Sequence, residues 1–173
     1  MSRQVPDVNS ATDQIVIDGL EFARLGRRLV GKVPIRALAR LADQLADDDG
    51  EIAWELRGEQ DEEGKAFLCL QLSGKLSLRC QRCLGSVDEV LAVSSRLLLV
   101  RPGHVWPDEE LAEDGFDAVE AGKEMALAPM IEEEVLLALP IAPTHGTCDQ
   151  PLSSHEEHEP SPFAVLAKLK KGV

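Results

Sequence analysis

The chain has 173 residues and carries 18 Lys and Arg against 31 Asp and Glu, a net charge of −13, with 44% apolar residues and 3% aromatics. That apolar share fills one core of ordinary domain size. The acidic balance excludes a basic coat on DNA or RNA, because neutralising phosphates needs surplus Lys and Arg. With no Tyr, stacking platforms for bases are poorly supplied. The longest apolar stretch, residues 135–143, falls far short of the roughly 20 residues a spanning helix needs. The N-terminal MSRQVPDVNSATDQ has no apolar export region. These features predict a cytoplasmic protein without a membrane partner. Its four cysteines are then suited to thiol or metal chemistry rather than to a disulfide frame.

Residues 1–13 read as a flexible N-terminus, and residues 14–150 as a single α+β domain. Short strands are expected at 14–18 and 28–33. Pro34 then sets up a helix over 35–45, where Leu38, Leu41 and Leu45 recur at helical spacing. Asp47-Asp48-Asp49-Gly50 ends it, with Gly50 as the left-handed residue. Alternating apolar residues predict strands at 51–57 (Ile52, Trp54, Leu56), at 65–72 (Leu68, Leu70, Leu72) and at 75–80 (Leu76, Leu78). Turns are placed at residues 61–64 and at Ser73-Gly74, the latter as a tight hairpin. A fourth strand is expected over 87–100. Such close spacing predicts antiparallel neighbours, since a parallel pair needs a crossover of a dozen or more residues.

Residues 101–123 are acidic, punctuated by Pro and Gly, and without period, so they read as a long acidic loop. A helix follows, with Pro129 in its first turn and Glu132, Glu133 and Glu134 complementing its positive end. Its apolar face is predicted as Ile131, Val135 and Ala138, and Pro140 closes it. Residues 151–160 form a polar linker. Ser161-Pro162 then caps a short helix over 161–173 through Phe163, Leu166 and Leu169, too short to be stable unless it docks. The fold class is therefore α+β: a mainly antiparallel sheet or partial barrel, two or three helices, an acidic loop and a C-terminal docking helix.

The sharpest chemical signal is Cys80-Gln81-Arg82-Cys83, because two thiolates at this spacing on a turn can reach one tetrahedral metal. His145 and Cys148, also two residues apart, supply a second pair. Together the four residues make a candidate Cys₃His site for structural zinc that would pin a late loop to a hairpin. The competing reading has the thiols as packing residues at a hairpin tip. A thiol oxidoreductase is a further alternative, but the strand-to-helix context that lowers a redox cysteine's pKa is missing. Cys69 reads as a packing residue. His155 and His158 in a polar linker read as solvated. No phosphate loop, dinucleotide fingerprint or nucleophile elbow is present, so the sequence predicts no enzyme.

Charge is unevenly placed. Residues 24–40 hold Arg24, Arg27, Arg28, Lys32, Arg36 and Arg40 and no acid, whereas residues 108–134 hold eleven acids and only Lys123 against them. The basic residues either contact RNA phosphates or pair with the acidic segment, the second needing no partner.

Three stretches taken together resemble the bacterial YceD family. Cys80-Gln81-Arg82-Cys83 matches its C-x-R-C signature. Residues 131–148, from Ile131-Glu132-Glu133-Glu134 through Leu139-Pro140 to His145 and Cys148, resemble its acidic-then-aliphatic segment ending in His and Cys. Residues 161–170, Ser-Pro-Phe-Ala-Val-Leu-Ala-Lys-Leu-Lys, resemble its C-terminal ending. The resemblance implies a non-catalytic role in synthesis, processing or stability of large-subunit ribosomal RNA, and no ligand or catalytic residue to carry over. Combined with the acidic surface, it leads us to expect basic ribosomal or assembly proteins as partners. A zinc-stabilised interaction module unrelated to ribosomes is the alternative.

Overall fold

The computed structural model describes residues 12–104 and 115–148. Its frame is a five-stranded sheet in the order β2-β3-β4-β5-β6, with a separate two-stranded pair β1-β7. The strands are β1 (Val16–Ile17), β2 (Arg28–Pro34), β3 (Glu51–Gln60), β4 (Ala66–Arg79), β5 (Ser86–Val100), β6 (Asp117–Glu120) and β7 (Met125–Ala126). Two helices, α1 (Gly19–Arg24) and α2 (Leu127–Ala138), pack on one face of the sheet. The α+β class with a mostly antiparallel sheet is as expected, and the sheet stays open.

Strand alternation decides which face is covered. Ile52, Trp54 and Leu56 of β3, and Leu68, Leu70, Leu72, Leu76 and Leu78 of β4, are all buried, along with Leu91, Leu97 and Leu99 of β5. Helix α2 adds Leu127, Ile131 and Val135 to the same core. The opposite face carries the ion pairs Arg28–Glu55, Lys32–Glu51 and Arg57–Glu59. There a small second cluster of Phe67, Leu98, Val100 and Phe116 is also buried, with Arg96 lying 3.8 Å over the Phe67 ring.

Several sequence expectations are corrected. No turn forms at Ser73-Gly74. β4 runs straight through it, pairing Ser73 with Ala53 on one side and Ala92 on the other. The even-numbered leucines keep one parity from Leu68 to Leu78, as a single strand requires. Gly74 answers a close approach, since a Cβ there would lie 3.3 Å from the Glu51 carbonyl oxygen. The hairpin therefore turns later, between Arg79 and Ser86.

Residues 35–45 form no α-helix but two 3-10 turns, Ile35–Ala37 and Ala39–Leu41, parted by Leu38 at φ −93° and ψ 80°. Ile35, Leu38 and Leu41 are buried at a spacing of three, the 3-10 repeat. The chain then becomes extended because it completes the sheet edge. Before the start of β3, Ala46 N–H donates to Ser77 O at 2.8 Å and Arg79 N–H to Gln44 O at 2.9 Å. That demand on the backbone wins over helical propensity.

The acidic loop of 101–123 contains β6, which pairs in parallel with the end of β5, Leu97 opposite Asp117. Residues 101–116 supply the crossover length that a parallel pair needs. In place of a strand over 14–18 there is a 3-10 helix, Thr12–Gln14, and only two residues of strand. Thr12 is buried; its hydroxyl donates to Lys32 O at 3.0 Å and accepts from the Trp54 indole at 3.2 Å. Helix α1 was not foreseen. Asp18 caps it, accepting from the Glu21 N–H at 2.9 Å.

Helix α2 starts two residues before Pro129, so Glu132, Glu133 and Glu134 lie beyond its first turn and do not complement its positive end. They act through side chains instead. Glu132 and Glu133 hold Arg40, and the buried Glu134 accepts from the Ser95 hydroxyl on β5. Ala138 is exposed rather than part of the buried face. The expected linker and C-terminal helix, residues 151–173, lie outside the described residues.

Gly58 on β3 gives the packing a sharp test. A Cβ there would meet Phe22 O at 2.4 Å and Ala23 Cα at 2.7 Å, both backbone atoms of α1. Gly58→Ala is expected to lower stability by about 1–3 kcal/mol, the usual cost of overpacking. Denaturant unfolding checks this; an unchanged midpoint would show that α1 is not held so closely.

Candidate metal centre

The late hairpin turn carries the first pair of cysteines. Cys80 N–H donates to Gly85 O at 2.8 Å, and Leu84 N–H to Cys80 O at 2.9 Å, which closes the turn between β4 and β5. Leu84 sits at φ 61°, a left-handed conformation that costs a side chain roughly 1–2 kcal/mol. The segment after α2 is laid across this turn by a further backbone bond, Gln81 N–H to Pro143 O at 2.8 Å. His145 and Cys148 thereby arrive opposite Cys80 and Cys83.

The donor atoms of Cys80, Cys83, His145 and Cys148 all lie within 4.8 Å of one another. Cys80 Sγ is 3.8 Å from Cys148 Sγ, and His145 Nδ1 is 3.4 Å from Cys83 Sγ and 3.9 Å from Cys148 Sγ. A tetrahedron with metal–sulfur bonds of about 2.3 Å has edges of roughly 3.8 Å, so the spacing suits one tetrahedral ion. His145 Nε2 is 2.7 Å from the Ser86 carbonyl oxygen. A carbonyl only accepts, so Nε2 carries the proton and the Nδ1 lone pair faces the thiols. This is the outer support expected of a ligating imidazole. The four residues chosen from the sequence are thus brought together and could hold a metal. The Ser86 carbonyl was not foreseen, since a backbone acceptor leaves no trace in residue type.

Electrostatics prepare the cluster unevenly. Burial, the largest single influence on the Cys80 thiol, raises it. The amides of Cys83, Arg82 and His145, with the Cys83 thiol, donate to its sulfur and together bring it down to about 5. Burial raises Cys148, and hydrogen bonds with Cys80 and Cys83 raise it further. Cys69 stands apart on the opposite sheet face, its thiol raised by burial and then by Glu59.

The basic residues do not form one patch. Arg28 and Lys32 pair with Glu55 and Glu51 of β3, and among the described residues only Arg40 reaches the acidic segment, 2.5 Å from Glu133. Arg24, Arg27 and Arg36 are exposed and make no ion pair among the described residues. His155 and His158 fall outside the described residues. Among those described, no helix is long and apolar enough to cross a membrane.

A Cys80 pKa lowered from 9.0 to about 5 contributes stability that is complete above pH 9 and lost as pH falls through 5. Thermal melts of the metal-free chain from pH 9 to pH 5 should therefore fall more steeply than those of Cys80→Ala. Parallel curves would contradict the assignment.

The family model described as "Large ribosomal RNA subunit accumulation protein YceD" matches residues 68–170. The chain is also similar to the large ribosomal RNA subunit accumulation protein YceD of Haemophilus influenzae. The two are 24% identical over 169 residues, which cover 91% of this chain and 95% of that protein. No solved structure matches. The matched region contains the β4–β5 hairpin from Leu68 onward, helix α2 and all four cluster residues, and on that match the chain belongs to the YceD family.

Proposed function

We propose that the protein is a cytoplasmic, non-enzymatic accessory of ribosome biogenesis that supports synthesis, processing or stability of the large-subunit (23S) ribosomal RNA. Membership of the YceD family is the observation that carries this reading. The protein acts by holding a basic ribosomal or assembly protein, for which a chain of net charge −13 is electrostatically suited. Direct contact with RNA phosphates is the weaker route. Three of the six basic residues between 24 and 40 are already engaged by carboxylates, leaving Arg24, Arg27 and Arg36.

Cys80, Cys83, His145 and Cys148 hold a structural zinc ion. The open position of a catalytic zinc is absent from this reading, because four protein ligands complete the tetrahedron. The ion ties the loop after α2 to the β4–β5 turn and so contributes folding energy. One shell of donors then keeps a shared surface rigid while leaving chemistry out of it.

Removing the protein from cells is expected to lower mature large-subunit RNA or to accumulate its precursors. Quantifying both species tests the role; unchanged levels, including in the cold, would contradict it. Elemental analysis should find close to one zinc per chain, and Cys80→Ser should lose most of it. Zinc-free wild-type protein would leave the cysteines as packing residues.

A further inference from the structure

The end of the sheet away from the cysteine turn is hollowed. Helix α1, the turn between β3 and β4, the last residues of β5 and the segment after β6 border one continuous cleft of about 1030 Å³. That reaches the size of a small-molecule site, for which roughly 300–1,000 Å³ is usual. Two backbone bonds fix its walls. Gly19 N–H donates to Gly122 O at 3.1 Å, tying the start of α1 to the segment after β6, and Ala121 N–H donates to Val100 O at 2.7 Å.

The lining has an apolar part and a charged part. Leu20 of α1, Ala66 of β4, Leu99 and Val100 of β5, and Ala121 supply the apolar part, all but Leu20 being buried. Arg24, Arg101 and Lys123 stand exposed on the same cleft, and none of them makes an ion pair among the described residues. A fourth cation, Lys65, is 3.1 Å from Glu63. The carboxylates on the cleft are Glu21, Glu120 and Asp18, and Asp18 already accepts from the Glu21 N–H. Cations thus outnumber acids here, four to three, in a chain where they are outnumbered 18 to 31. Apolar walls beside these charges weaken solvent screening and focus their field into the cleft. A solvated rim needs no apolar floor, and an apolar floor alone takes any hydrocarbon. Together they select an anion with an apolar body.

We propose that this cleft binds a small organic anion, its acidic group held by Arg24, Arg101 and Lys123 and its apolar body lying on Leu20, Leu99 and Ala121. The site stands apart from the metal centre, because β4 and β5 carry the cysteine turn at their other end, roughly 45 Å along the strand. It rests on neither the zinc ion nor the ribosomal role.

Binding of sodium decanoate to the full chain, below its micelle concentration, tests the proposal by calorimetry and by NMR amide shifts. One decanoate per chain should bind, shifting the amides of Leu20, Arg101 and Gly122 and leaving those of Cys80 and Leu84 in place. Decyltrimethylammonium, with the same tail and the opposite charge, should not saturate, nor should acetate, which lacks the tail. Arg101→Glu combined with Lys123→Glu reverses two exposed charges. It should keep the wild-type melting temperature and weaken decanoate by about tenfold or more. No saturable decanoate binding would overturn the proposal, as would equal binding of the cationic analogue or an affinity unchanged by the double reversal. Binding seen only with anionic lipid vesicles would assign the cleft to a membrane surface and overturn it. Binding that appears only once residues 105–114 are exchanged for a Gly-Ser linker would show the cleft filled from within the chain, and would likewise overturn it.

Discussion

The β4–β5 ladder is the element on which the rest of the molecule depends. It runs unbroken from Phe67 opposite Leu98 to Arg79 opposite Ser86, and it buries leucines of both strands against α1 and α2. Because side chains alternate with a period of two, a slip by one residue would turn every one of those leucines to the other face. The same register sets where the hairpin turns, and so places Cys80 and Cys83 on the turn and Ser86 at its exit. A Ser86 carbonyl one residue away would no longer meet His145. Core packing and metal geometry are thus one constraint, not two.

The second half of the cluster comes from about sixty residues further along the chain. Helix α2 delivers it, docked through Ile131 and Val135 in the core, Glu134 on Ser95, and Glu132 and Glu133 on Arg40. These contacts fix where α2 ends, and Gln81 to Pro143 then fastens the following loop to the turn. The exposed carboxylate pairs add little stability each. Their use is orientation, since they join the 3-10 region to the helix that leads into the loop of His145 and Cys148.

Legibility in the sequence followed the range of the interaction involved. The four candidate ligands were readable, because C-x-x-C and H-x-x-C spacings report on chemistry at short range. The core residues of β3 and β4 were readable from alternation. What misled was local punctuation taken by itself. Ser73-Gly74 has turn chemistry, but Gly74 is there because the start of β3 lies close to it. Leu38, Leu41 and Leu45 suggest a helix, but backbone groups near Leu45 are claimed by Ser77 and Arg79 of β4. The parallel strand β6 hides in acidic sequence because its pairing partner, the end of β5, is remote. Charge shows the same limit: the basic stretch is one run in sequence that was expected to meet RNA or the acidic segment, yet its members pair with β3 as well as with α2.

On the proposed reading, Cys80, Cys83, His145 and Cys148 close around one zinc ion and thereby join the hairpin to the loop after α2. X-ray absorption at the zinc edge on the purified full chain measures it most directly. The expected result is four-coordinate zinc with three sulfurs at about 2.3 Å and one nitrogen at about 2.0–2.1 Å. A shell of oxygen and nitrogen ligands alone, or six-coordinate zinc, would contradict it.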